Sequence, residues 1–67
     1  MDIDIRSHII NNFKNDDEQE IKNAIEAGIE SKEEVALPGL GVFLELAWNN
    51  SDDEFKKAIL TNIKKGL

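Results

Sequence analysis

Residues 37 to 48 read LPGLGVFLELAW, with Glu45 as the single charge among them. About a dozen apolar residues are too few to cross a bilayer, which takes roughly twenty. They therefore have to be covered by protein, and the rest of the chain is acidic and polar. With 67 residues in all, the covering comes from one domain spanning residues 1–67. A chain this short buries only about 60% of its unfolded surface. Burial at ~25 cal/mol per Å² then nearly cancels against ordering at ~1.5 kcal/mol per residue. There is no cysteine, which removes disulfides and thiolate metal sites. Helix packing and self-association remain as sources of stability.

Periodicity divides the chain into three or four helices. Ile5, Ile9, Ile10 and Phe13 fall at helical spacing and predict a first helix over about residues 4 to 14. Ile3 and Ile5 alternate with acids, which leaves room for a short extended start. Asn15 followed three residues later by Glu18 has the form of a capping box. It would open a second helix, about 16 to 30, with Ile21, Ile25 and Ile29 at four-residue steps. Gly28 lies on that face at a cost of ~1 kcal/mol against alanine, which a close approach by another helix would explain. Residues 31 to 34 form a polar connection with at most a brief helical turn. Pro38 stops any helix running in from Val35, and it also suits the first turn of a helix beginning there. Residues 40 to 48 are apolar nearly all round and predict a helix buried on most sides. A strand through Val42, Phe43 and Leu44 is the rival, but no second strand-like run exists to pair with it. Ser51 to Glu54 repeats the capping-box form. A last stripe of Phe55, Ala58, Ile59, Ile63 and Leu67 predicts a helix over about 52 to 65, with acids at its start and lysines at its end, as the helix dipole favours. The expected fold is all-α: three to four short helices around a central apolar one. The core would be Ile9, Ile10, Phe13, Ile21, Ile25, Val42, Phe43, Leu46, Ile59 and Ile63.

Charge narrows the function. The formal net charge is −6, which repels phosphate backbones at long range. Nucleic acid is not the expected partner, although Lys56, Lys57, Lys64 and Lys65 could form a small basic patch. Met1 is followed by Asp-Ile-Asp-Ile-Arg rather than by basic and then apolar residues, so no secretion signal is expected, and no membrane association.

Each chemically suggestive motif has a plainer reading. Leu37-Pro38-Gly39-Leu40-Gly41 could be a backbone nest for an anion, but no Lys, Ser or Thr follows where a phosphate loop needs one. A tight turn leading into the helix, with Gly41 admitting a neighbouring helix, is the favoured reading. Glu45 could be a buried acid or base. Solvent exposure, or an ion pair with an arginine such as Arg6, is the simpler expectation. Trp48, three residues on, suits the rim of a core and, as the minority view, an interface. His8 is the only histidine, and no nucleophile or carboxylate pair in the sequence gives it catalytic company. Residues 15 to 20 have the acid density of a calcium loop, but Glu20 stands where such a loop requires glycine. Asn49-Asn50-Ser51 has the form of a glycosylation acceptor, without meaning in the absence of a secretion signal. No catalytic residue, cofactor, metal or small-molecule ligand is expected.

The stretch IESKEEVALPGLGVFLELAWNN resembles the small acid-soluble spore protein I family of endospore-forming bacteria. The matching features are Glu33-Glu34, then Leu37-Pro38-Gly39-Leu40-Gly41-Val42, then Glu45 and Trp48 at fixed offsets. The start, MDIDIRSHIINN, is similar to the family's N-terminus. The resemblance implies a minor, non-catalytic protein of the dormant spore core, made in the forespore cytoplasm. Its role would be structural or one of interaction. It does not imply DNA coating, which belongs to the separate alpha/beta-type spore proteins; their protease site is not recognisable here. Leu37, Pro38, Gly39, Leu40, Gly41, Val42, Glu45 and Trp48 become the candidate family-motif or interaction residues. The partners left open are a second copy, making a homodimer, or another spore protein in a hetero-complex. The alternative reading is a small acidic protein–protein interaction module.

Overall fold

The computed structural model describes residues 4–67. Four helices follow one another: α1 (Ile5–Phe13), α2 (Glu18–Ser31), α3 (Leu37–Asn49) and α4 (Asp53–Gly66), with a 3₁₀ turn (Glu34–Ala36) leading into α3. The architecture is all-α, as expected. The short extended start considered for Ile3 lies outside the described residues.

Aspartates start three of the four helices. Asp4 accepts from the Ser7 amide at 3.0 Å and from its hydroxyl at 2.7 Å. Asp17 accepts from the Glu20 amide at 2.8 Å, and Asp52 from the Phe55 amide at 2.9 Å. The predicted caps, Asn15 and Ser51, are therefore displaced by two residues and one. A cap needs extended backbone to aim its oxygen at the N3 amide. Asp17 and Asp52 have it, with ψ of 175° and −179°. Asn15 is still held in the turn leaving α1, where the Asp16 amide donates to the Phe13 carbonyl. Ser51 turns back to close α3, donating its hydroxyl to the Ala47 carbonyl. Pro38 occupies the first turn of α3, where its missing amide hydrogen costs no helix bond.

Helix α3 is the hub, packed against α1, α2 and the 3₁₀ turn. Phe13 of α1 meets Phe43 of α3 edge to face, ring centroids 5.1 Å apart. Ile9, Ile21, Ile25, Leu40 and Leu46 are half-buried around that pair. The enclosure predicted for α3 is incomplete: Val42 alone among the described residues is buried, while Leu37 and Leu44 are exposed. Two predicted core residues are also exposed, Ile10 on α1 and Ile63 on α4. The reason is α4, which leaves the corner at Asn50 and Ser51 and touches the other helices only slightly. The chain consequently exposes 5839 Å², against about 4,300 Å² for a folded chain of this mass. Its radius of gyration is 12.9 Å, where about 10.9 Å is typical of this length.

The glycines of α2 and α3 do not serve the tight contacts expected of them. A Cβ at Gly28 would lie 3.5 Å from Leu40, and one at Gly39 would lie 3.5 Å from Ile9, both ordinary contact distances. At Gly41 it would meet none of the described residues within 4 Å. Gly41→Ala is therefore expected to stabilise the domain by about 0.5–1 kcal/mol, the helix-interior penalty of glycine. A urea melt that showed a loss instead would mean that another surface occupies the space beside Gly41 in solution.

Candidate functional site

The helical repeat sorts the eight motif residues onto different faces of α3. Pro38, Gly41, Val42 and Glu45 share one face. With Asp4, Ile5 and Arg6 of the α1 end they line an open pocket of about 400 Å³. Gly39 and Leu40 turn instead toward Ile9 and Gly28, in the packing between helices. Leu37 is exposed. Trp48 lies at the far end of the helix, half-buried, with Lys56 Nζ of α4 5.4 Å from its ring centroid. The motif is thus not one constellation. Part of it packs, part lines the pocket, and part forms the junction with α4.

The chemistry of the pocket is that of an ion pair. Arg6 donates from Nε to Glu45 Oε1 at 2.5 Å and from Nη2 to Oε2 at 2.8 Å. The two-pronged geometry matches a planar guanidinium to a carboxylate. The link expected between Glu45 and Arg6 is therefore present, and it ties α1 to α3 across 39 residues of chain. The Arg6 hydrogen bonds hold the Glu45 carboxyl below its ordinary range. The same contact raises the Arg6 guanidinium. Asp4 is also lowered, chiefly by the Ser7 hydroxyl and amide, with a smaller contribution from the charge of Arg6.

A carboxyl group lowered in the folded state stabilises it above the unfolded-state value and loses that contribution as pH falls through the folded one. Glu45→Gln is accordingly expected to be less stable than the parent at pH 7. The difference should shrink as pH drops below about 4.5 and vanish once the parent's Glu45 is protonated. Urea melts of both proteins across that range check it, and a difference independent of pH would refute the role of the charge. The pair is largely open to water, Arg6 and Glu45 side chains being 59% and 38% exposed, so salt should weaken it.

The other candidates occupy ordinary surroundings. His8 is exposed, with Nε2 3.2 Å from Asn12 Nδ2 one turn along α1. Among the described residues, no three or more of His, Cys, Asp and Glu group in a way that could hold a metal ion. No helix among them is long and apolar enough to cross a membrane. A second hollow, apolar and about 470 Å³ in volume, runs between α1, α2 and α3. Sequence reasoning missed this groove because it placed α4 over the core. Nor did it foresee the stacking of Lys56 on Trp48, which joins separate helices through a corner that carries no periodic signal.

Fold and site together define a small, acidic, all-helical protein whose apolar central helix is fastened by one arginine–glutamate pair. Its sequence matches the family model described as small, acid-soluble spore protein I over residues 3–67. Similar proteins bearing that name occur in Geobacillus kaustophilus, 33% identical over all of this chain and 97% of the relative, and in Shouchella clausii, 37% identical with the same coverage. Another, from Halalkalibacterium halodurans, is 37% identical over the whole chain and 98% of the relative. No solved structure matches. The chain belongs to the small acid-soluble spore protein I family.

Proposed function

We propose that the protein is a non-catalytic component of the dormant spore core, with a structural or interaction role and no reaction of its own. Family membership supports the spore setting. The observation that carries the non-catalytic part is the state of Glu45. A carboxylate acting as a general acid or base at neutral pH needs its pKa raised toward the working range. Glu45 is displaced the other way, both oxygens engaged by Arg6. That is the disposition of a fastening.

The alternative, a protein–protein interaction module, draws on a different observation. Phe55, Leu60, Ile63 and Leu67 of the C-terminal region are exposed large apolar residues, and an apolar face of that kind suits a protein surface better than a small molecule.

Fractionation of spores that produce the tagged chain tests the setting and the role. The protein is expected in the acid extract of decoated, broken dormant spores, and not in the coat fraction or in vegetative cells. Glu45→Gln should reach the same fraction in similar amount and leave spore resistance and germination as they are with the parent chain. Recovery in the coat would overturn the core assignment. A spore phenotype from Glu45→Gln in a chain that still folds would overturn the purely structural role of that residue.

A further inference from the structure

We infer that the chain forms a two-fold dimer in which α4 of each copy lies in the apolar groove of the other; this deepens the interaction role proposed above and rests on it. The groove is walled by Ile10, Phe13, Ile21, Ile25, Phe43 and Leu46, and no residue of α4 lines it. Along α4, Phe55, Ile59 and Ile63, with Leu67 just past its end, recur at four-residue steps, the spacing by which a helix presents anchors to a groove. All of them but Ile59 are exposed.

Charge favours a second copy as the occupant. Residues 4–50 carry ten acids and four bases, a net −6, whereas α4 carries four lysines and two acids, a net +2. Each α4 therefore brings positive charge to a negative body. Acidic bodies would repel in any pairing that left α4 out. The area is sufficient: the surface in excess of a compact chain of this mass is about 1,500 Å², roughly twice the ~800 Å² that each partner gives to a standard interface.

The corner explains why the groove is filled by the partner's helix. The Asn50 amide and side chain both donate to the Leu46 carbonyl, and the Ser51 hydroxyl donates to Ala47. Lys56 stacks on Trp48 just beyond. These contacts hold the corner from which α4 departs, and no residue of α4 reaches its own groove. Reciprocal exchange satisfies both copies with one contact used twice and leaves no open end.

Sedimentation equilibrium on the full chain is the test. Between about 1 and 200 µM, the span of micromolar affinities, the mass is expected to approach twice 7.6 kDa. A Leu60→Asp/Ile63→Asp double variant alters residues that are exposed in the single chain, so its helical circular dichroism should be retained. Its dissociation constant should rise by about a hundredfold or more. Ile10→Asp, on the groove side, should act in the same direction. A parent chain that stays monomeric at the highest concentration overturns the inference, including one in which nuclear Overhauser contacts place Ile63 against its own Ile10. A dimer indifferent to the α4 variants also overturns it, by placing the interface elsewhere. The spore fractionation is independent of these outcomes: a monomer in the core extract removes the dimer and leaves the proposed function standing.

Discussion

Val42→Asp is expected to leave the chain unfolded in water at neutral pH. Val42 is the one described residue that is buried, at 8% exposure. It faces the α1 end, where Asp4 and Glu45 line the same pocket. A new carboxylate there loses water and joins two carboxylates, Asp4 and Glu45, around the single guanidinium of Arg6, which Glu45 already engages with both oxygens. It must then either stay charged, competing with Glu45 for Arg6, or take up a proton against its ordinary pKa, and either way several kcal/mol are lost. At ~0.05–0.15 kcal/mol per residue, a chain of this length has only about 3–10 kcal/mol to lose. Circular dichroism at 25 °C checks the result, with Val42→Ala as the control. The alanine keeps the site apolar and should cost about 1–2 kcal/mol, leaving a cooperative melt. An aspartate variant that melted like the alanine one would mean that the pocket face of α3 is wetter than the buried valine implies.

Phe43→Ala should destabilise the domain by about 2–3 kcal/mol. Fully buried phenylalanines lose about 3–5 kcal/mol on truncation, and Phe43 falls short of that because it is only half-buried beside the open groove. Part of the loss is its edge-to-face contact with Phe13. A double-mutant cycle with Phe13→Leu and Phe43→Leu should recover a coupling of about 0.5–1.5 kcal/mol. Urea melts give both numbers, and a coupling near zero would show that the two rings act only as separate apolar surface.

The helices could be read from the sequence because their signals are local. Isoleucines at four-residue steps, a proline suited to a first turn, and acids before an apolar run each depend on a few neighbouring residues. The caps moved by one or two positions because Asn15, Asp16 and Asp17, like Ser51 and Asp52, all carry oxygens able to cap. Only the path of the backbone selects among them. The Arg6–Glu45 link was legible because a lone charge on an apolar helix needs a partner, and Arg6 stands at the start of the first apolar stripe. What the sequence did not disclose was the placement of α4. Its stripe announces that Phe55, Ile59 and Ile63 want cover, yet periodicity cannot say whether the cover belongs to the same chain. The glycines misled for a related reason. Their presence in a helix suggests a close neighbour, and at Gly41 the described residues supply none.

Three aspartates, Asp4, Asp17 and Asp52, each begin a helix, and this gives the protein a particular behaviour in strong acid. At Asp4, whose carboxyl is held low chiefly by the Ser7 hydroxyl and amide, protonation weakens the first turn of α1, because a neutral carboxyl is a poorer acceptor and no longer offsets the helix dipole. At the same time the fourteen acids fall silent, and eight lysines and arginines with one histidine are left to push neighbouring molecules apart. The groups that loosen the fold are thus of the same kind as those whose neutralisation leaves the loosened chains uniformly positive and mutually repelling.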